Sequence, residues 1–285
     1  MILSFGPPGD GAVAAGLAFG LPTVCALLAY AVAALPGERS ASLLRSALLV
    51  GWIAHGIAIA VDVAGIGSVT SGARFGFAPA LSATLWLVLG VYQLEARVVP
   101  LPGARRKLAL LGVAVVALAW CFPGRLHPNV GSPWAPLHWM LGLASYGLFG
   151  VAVLHAALLD RAERQLRGNP AAPVLAAPAP PVEGIPLLRL ERLTFRFVTA
   201  GFAMLSAALV FGAVFAHPWR WDHKTVFSLL GWLVFAALVI GRYRFGWRGI
   251  KATRWLYAGA LLLLLAYVGS RFVLEVLLHR GPTGG

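Results

Sequence analysis

Eight apolar runs, most of them near 20 residues long, dominate the 285 residues of this chain. That is the length an α-helix needs to cross about 30 Å of hydrocarbon, so each run reads as a membrane span. They extend from Gly11 to Leu35, Leu43 to Ala64, Phe75 to Tyr92, Leu108 to Phe122, Pro136 to Leu159, Phe195 to Phe215, Thr225 to Ile240 and Trp255 to Leu278. The fourth is the shortest. Charged residues make up 12% of the chain and hydrophobic ones 59%, where soluble domains carry about 25% charged residues. The expected fold class is therefore all-α, a single transmembrane domain built as a polytopic bundle of about eight helices.

A formal charge of +13 suggests nucleic acid when it lies on a soluble surface, but here the cations cluster at the ends of spans. The connections after spans one, three, five and seven hold Arg39 and Arg45; Arg97, Arg105, Arg106 and Lys107; Arg161, Arg164, Arg167, Arg189 and Arg192; and Arg242, Arg244, Arg248, Lys251 and Arg254. Those after spans two, four and six hold only Arg74, then Arg125, then Arg220 and Lys224. The excess of positive charge on one side places that side in the cytoplasm and both termini outside. The partner implied is the lipid bilayer, not nucleic acid.

The N-terminal segment lacks a basic region and a small-residue cleavage site, so the first run is expected to be retained. The one long connection, Asp160 to Arg192, is rich in Pro and Ala. Each Pro removes a helix donor, and the segment reads as a cytoplasmic linker. No repeat of 20 to 50 residues is visible. Cys25 and Cys121 are far apart, without a Cys-x-x-Cys pattern, and are expected to pack as small hydrophobes.

Between the sixth and seventh runs lies AHPWRWDHKTVFS, Ala216 to Ser228, a polar turn with two Trp, two His, an Asp and a Lys. Trp is common at membrane interfaces for its amphipathic ring alone. A belt does not call for His217, Asp222, His223 and Lys224 in the same few positions, so a binding role is the stronger reading. His138 opens the fifth span, followed at helical spacing by Gly142, Ser145 and Tyr146, which leave room for a neighbouring helix or a flat ligand. His55 sits in the middle of the second span, where an imidazole is a functional candidate or a hydrogen-bond donor to the next helix, and is expected to face the interior. Asp62, two turns on, shares its face. His155, far along the fifth span, reads as a separate structural histidine. Arg271, Glu275 and His279 form one stripe near the end of the last span, where Arg271 either neutralises Glu275 or holds a ligand carboxylate.

These residues carry a resemblance. The segment Trp219, Trp221, Asp222, Lys224 is similar to the W-x-W-D-x-K/R signature of the haem-handling cytochrome c assembly family. The segments RFGFAPALSATLW (Arg74 to Trp86), PLHWMLGLASY (Pro136 to Tyr146), LERLTFR (Leu190 to Arg196), HKTVFSLLGWLVF (His223 to Phe235), GRYRFGWRG (Gly241 to Gly249) and AYVGSRFV (Ala266 to Val273) resemble its HemX-like, YpjD-type branch of small inner-membrane proteins. The resemblance implies a b-type haem, bound non-covalently at the external Trp/Asp-rich turn, with His138 matching the external ligand that precedes that turn. It also implies His279 near the place of the second external ligand, His55 matching an intramembrane histidine, and Trp219, Trp221, Asp222, His223 and Arg271 in contact with the haem. Other cytochrome c assembly components are the implied partners. The external segment is shorter than in the family's synthetases, and no large external domain is present to hold an apocytochrome.

Porphyrin, imidazole, indole and arginine are chemically matched: rings stack, iron takes axial nitrogens, and propionates pair with guanidinium. Two alternatives stand beside haem handling, a divalent cation efflux protein and a ligand-free regulatory membrane partner. A cation pathway wants membrane carboxylates, and the candidates are Asp62, Glu95 and Glu275, the last two beside arginines. No nucleophile, base or phosphate-loop pattern is present, so side-chain catalysis is not expected.

Overall fold

The computed structural model describes residues 10–36, 41–63, 72–96, 104–128, 135–168, 187–215, 222–269 and 272–273. Among them are eight helices: α1 (Asp10–Ala33), α2 (Ala41–Val63), α3 (Phe77–Glu95), α4 (Ala104–Cys121), α5 (Ala135–Gly168), α6 (Leu187–Phe215), α7 (His223–Phe245) and α8 (Gly249–Leu264). A π-helical turn, Leu265–Gly269, continues α8. Among the described residues six helices are long and apolar enough to cross a membrane: Ser42–Val63, Phe77–Glu95, Leu137–Arg164, Leu188–Val214, His223–Phe245 and Gly249–Gly269. The protein is an all-α polytopic membrane protein. Its α4 begins with Arg105, Arg106 and Lys107, which shortens its apolar part.

Several boundaries differ from the sequence reading, three of them for a local reason. Phe75, placed at the start of the third span, is extended: Gly72–Phe75 (β1) pairs antiparallel with Arg125–Pro128 (β2), and α3 begins only at Phe77. The ribbon gives backbone partners to the chain on either side of α3 and α4, which hydropathy does not register. The second and third differences both shorten the linker. The charged run after Leu159 continues α5 to Gly168, held in part by Tyr257, whose hydroxyl donates to Asp160 Oδ2 at 2.8 Å. Helix α6 begins at Leu187, because Leu190 and Thr194 bury on one face one turn apart. The Pro-rich stretch 169–186 lies outside the described residues, as does the end of the last span from 274 onward.

The chain packs as two compact units. One comprises 1–86 and 103–131, the other 87–102 and 132–285, so the first ten residues of α3 belong to one and its remainder to the other.

In the first unit the organising residue is Tyr30 of α1, which is fully buried. A Cβ built on Gly51 of α2 would sit 2.7 Å from its ring, and one on Gly112 of α4 would sit 2.8 Å away. The ring is a wedge gripped by two glycines, and only glycine lets both backbones close on it. Helices α2 and α3 are joined by a reciprocal clamp. Trp52 and Trp86 stack with centroids 5.1 Å apart, and each indole N–H donates to the other's carbonyl, at 2.9 and 3.0 Å. Arg105 of α4 donates to the Ala33 carbonyl at the end of α1, at 2.6 Å.

The second unit packs α5, α6, α7 and α8 around the stacked rings of Phe149 and Phe235, with Val198, Leu238, Leu256 and Leu263 buried beside them. At one end Glu191 of α6 accepts from Arg242 of α7 at 2.6 Å and pairs with Arg248 at 3.3 Å. The Arg242 guanidinium also lies 4.3 Å over the Phe195 ring. The LERLTFR and GRYRFGWRG segments therefore form one structural joint. Gly246, with φ of 63°, ends α7 in the left-handed conformation that turns the chain into α8.

The wedge makes a direct test. Gly112→Ala puts a methyl into the Tyr30 ring and should cost about 1–3 kcal/mol by overpacking, read as a lower thermal midpoint in detergent. Gly142→Ala, which meets nothing within 4 Å, should be neutral or stabilising by up to about 1 kcal/mol. Equal midpoints for the two variants would contradict this account of the first unit.

Candidate functional site

Helix α5 carries His138 in its first turns, half-buried against the last turns of α6. Its Nδ1 lies 2.9 Å from the carbonyl oxygen of Ala208. A carbonyl only accepts, so Nδ1 carries the proton and Nε2 keeps its lone pair. One turn further along α6 stands Gly212, where a Cβ would come 3.1 Å from His138 Cε1. Glycine lets the imidazole lie close to the helix surface. Histidines that bind metal characteristically donate their second N–H to a backbone carbonyl or carboxylate, which sets the tautomer and aims the free nitrogen.

The same end of the second unit receives the start of α7. Asp222 is its N-cap: Oδ1 accepts from the backbone N–H and from the hydroxyl of Thr225, both at 2.8 Å. Partial burial alone would raise the Asp222 carboxyl. The hydrogen bonds from Thr225 and the charge of Lys224 outweigh it and hold the group below its usual value. Lys224 lies 5.6 Å over the ring of Tyr267 in the π-helical turn after α8, and it is close enough to His138 to act on it electrostatically. Tyr146, about two turns along α5 from His138, donates to the Leu263 carbonyl at 2.6 Å, just before α8 passes into the π turn. Such turns are uncommon and recur at functional sites. His138, Lys224 and Tyr267 thus come from three helices to one end of the unit. His223 is exposed in the first turn of α7.

The other predicted residues divide into two groups. Trp219, Arg220, Trp221, Arg271, Glu275 and His279 lie outside the described residues. His55 is interior, as expected, with 1% exposure, but it belongs to the first unit and both its nitrogens are engaged. Nδ1 lies 3.1 Å from the Tyr30 hydroxyl and Nε2 lies 2.7 Å from Ser82 Oγ. His55 thereby forms a hydrogen-bonded link among α1, α2 and α3. Asp62 is half-buried.

His155, read as isolated, is paired: its Nε2 lies 2.8 Å from Glu95 Oε2. Glu95, expected beside arginines, therefore has an imidazole as its partner. Among the described residues no three His, Cys, Asp or Glu side chains are grouped to hold a metal ion. Sequence inspection also passed over Ala208 and Gly212, whose roles are a carbonyl and an absent side chain. Only the i, i+4 spacing of two small residues late in α6 hinted at a close contact.

With this geometry in place, comparison with known proteins becomes informative. The family described as "Cytochrome C assembly protein" matches residues 23–278. The inner membrane protein YpjD of Escherichia coli (strain K12) is 27% identical over 266 residues, covering 80% of this chain and 98% of that protein. The cytochrome c biogenesis protein CcsA of Synechococcus sp. (strain WH7803) is 27% identical over 209 residues, 60% of this chain and 64% of its own. CcsA of Prochlorococcus marinus (strain NATL1A) is 36% identical over a shorter 104 residues, 35% of this chain and 33% of its own. No solved structure matches.

The α7 cap can be tested without any ligand. Asp222→Ala should loosen the first turn by about 1 kcal/mol, read as faster amide exchange at Thr225 and its neighbours. Because the folded carboxyl sits below its unfolded value of about 3.9, the cap's contribution is complete above that value. It is lost as pH falls through the lower folded value, and Asp222→Asn should remove this acid sensitivity. Unchanged exchange in Asp222→Ala would show that the cap does not hold the turn.

Proposed function

The chain belongs to the cytochrome c assembly family, and from that premise we propose that it binds b-type haem non-covalently at the end of the second unit that carries His138. The protein is a multi-pass membrane protein of the inner-membrane type represented by YpjD, and its role lies in cytochrome c biogenesis. The observation that carries the proposal is His138: its Nδ1–H is tied to Ala208, which leaves Nε2 as an oriented donor. Haem would bring its own ring nitrogens, so one aimed imidazole would begin to hold its iron. When bound, the haem contributes its iron and its flat apolar face.

In this reading His138 would hold the iron, with His279 or a histidine of the turn as the second residue that would do so. Trp219 and Trp221 offer ring faces to the porphyrin. Lys224, Arg220 and Arg271 are the cations for the propionates, whose carboxylates bind guanidinium and ammonium strongly away from bulk water. Asp222 holds the turn in shape as the cap of α7, and His223 stands beside it. We assign binding and positioning, not side-chain catalysis, to these groups. Loop charge orients the site outward, with both termini outside.

Absorption spectra test the assignment. His138→Ala should abolish or shift the haem bands of the purified protein. Trp221→Ala should lower the haem retained and leave the spectrum of the remaining haem unchanged. Retention of an identical low-spin spectrum by His138→Ala would overturn the ligand assignment. A wild-type protein free of haem from haem-replete cells would bring the divalent cation efflux reading forward. For orientation, in a chain freed of Cys25 and Cys121, a cysteine at Thr283 should be labelled from outside and one at Ala176 should not. The reverse pattern would move the site to the cytoplasmic face.

A further inference from the structure

Thirteen residues from Arg242 to Arg254 hold five cations and no carboxylate. They form the joint between α7 and α8, at the opposite end of α7 from Asp222. Only residues 246–248 separate the apolar span His223–Phe245 from the next one, Gly249–Gly269. Three residues reach about 10 Å at full extension, so the joint stays in the layer of lipid headgroups and does not carry its cations clear of it. The anions of that layer are lipid phosphates.

The joint is held in shape from several sides. Gly246 and Gly249, with φ of 63° and 56°, bracket Trp247 and Arg248. The Trp247 indole packs on Gly241 of α7, where a Cβ would overlap the ring. The Trp247 carbonyl accepts from Arg242 at 3.1 Å, and its backbone N–H donates to the Gly241 carbonyl at 3.1 Å. Over this fixed ring stands Lys251, its Nζ 4.2 Å from the centroid, and Trp255 lies 5.4 Å from Trp247 between centroids. A cation–π contact places the ammonium without spending its N–H donors on an oxygen. Arg248 is placed by Glu191: its Nε lies 3.3 Å from Oε1 of that carboxylate, which Arg242 also holds, and its side chain is 63% exposed. That contact leaves the two terminal nitrogens, the edge with which a guanidinium grips a phosphate. The other neighbouring carboxylates are committed too. Asp160 accepts from Tyr257, and Glu163, half-buried beside Gly249, is engaged as well.

The exposed stripe of α8 has the profile of an amphiphile. Lys251, Arg254 and Trp255 come first, then Ala258 and Leu261, all exposed and spaced by three or four so that they share one side of the helix. Cations, an interfacial indole and apolar residues follow one another in the order of headgroup, ester region and acyl chain. We propose that the α7–α8 joint is a binding site for an anionic phospholipid, whose phosphate is held by Arg248 and Lys251 beside the Trp247 ring and whose acyl chain lies along Ala258 and Leu261. Arg254 adds to the attraction from the next turn. The bound lipid offsets the surplus positive charge of the joint and fastens the start of α8 to the membrane surface. The site stands apart from the proposed haem site and does not depend on it.

Native mass spectrometry of the purified full-length protein in detergent tests this, comparing phosphatidylglycerol with phosphatidylcholine of the same acyl chains. The wild type should prefer phosphatidylglycerol. Arg248→Gln combined with Lys251→Gln should weaken phosphatidylglycerol binding by about 10- to 30-fold. Arg106→Gln combined with Lys107→Gln, which removes two exposed cations at the start of α4, should leave it unchanged. Equal losses in the two double variants would show diffuse surface charge and overturn the site, as would a wild type without preference. Displacement of the lipid by excess inorganic phosphate at constant ionic strength would also overturn it, since phosphate alone would then be the ligand. Should the loss of Arg248 from Glu191 prevent folding, Lys251→Gln alone decides: a loss of about 5-fold sustains the site, and undiminished binding ends it.

Discussion

Within a membrane a side-chain N–H or O–H has little water to turn to, and at five places between helices of this protein it turns to a backbone carbonyl. His138 donates to Ala208, Tyr146 to Leu263, Trp52 and Trp86 to each other's backbone, and Arg105 to Ala33. Each bond crosses from one helix to another, so each contributes to the register of two helices as well as to the partnering of a polar group. Small residues make this possible by letting the backbones approach: Gly212 beside His138 and the glycine pair around Tyr30 act in the same way.

The chemical consequence is sharpest at His138. An imidazole in water exchanges tautomers freely, and half of its directional information is lost. Bound to Ala208, it presents one nitrogen as a donor and the other as an acceptor, already aimed. His55 and His155 show the contrast. The first spends both nitrogens on Tyr30 and Ser82, and the second spends one on its own helix and one on Glu95. The same side chain is set differently in each place by what its two nitrogens meet.

Much of this was legible in the residue order. Apolar run length marked out the helices, because hydrocarbon thickness acts on every span alike, and the position of His138 at the opening of α5 singled it out. The interior placement of His55 followed from the cost of an imidazole against lipid. What it bonds did not follow, since Tyr30 and Ser82 lie on other helices and no spacing rule joins them. Glu95 was assigned to nearby arginines by proximity in the chain, whereas packing brought it His155, 60 positions away. The β1–β2 ribbon escaped notice because its strands are four residues long and far apart in the chain. Of the W-x-W-D-x-K turn, Asp222 proved to be a helix cap and Lys224 a neighbour of Tyr267, roles set by where α7 begins.

The central claim is that Ala208 fixes the His138 tautomer and leaves Nε2 free for a metal. Nitrogen NMR of histidine-labelled, haem-free protein in lipid nanodiscs reads this directly, with His138→Gln supplying the assignment. The account predicts a neutral ring protonated at Nδ1, with Nε2 unprotonated until haem is added and shifted when it binds. A ring protonated at Nε2, or an Nε2 signal indifferent to haem, would contradict it.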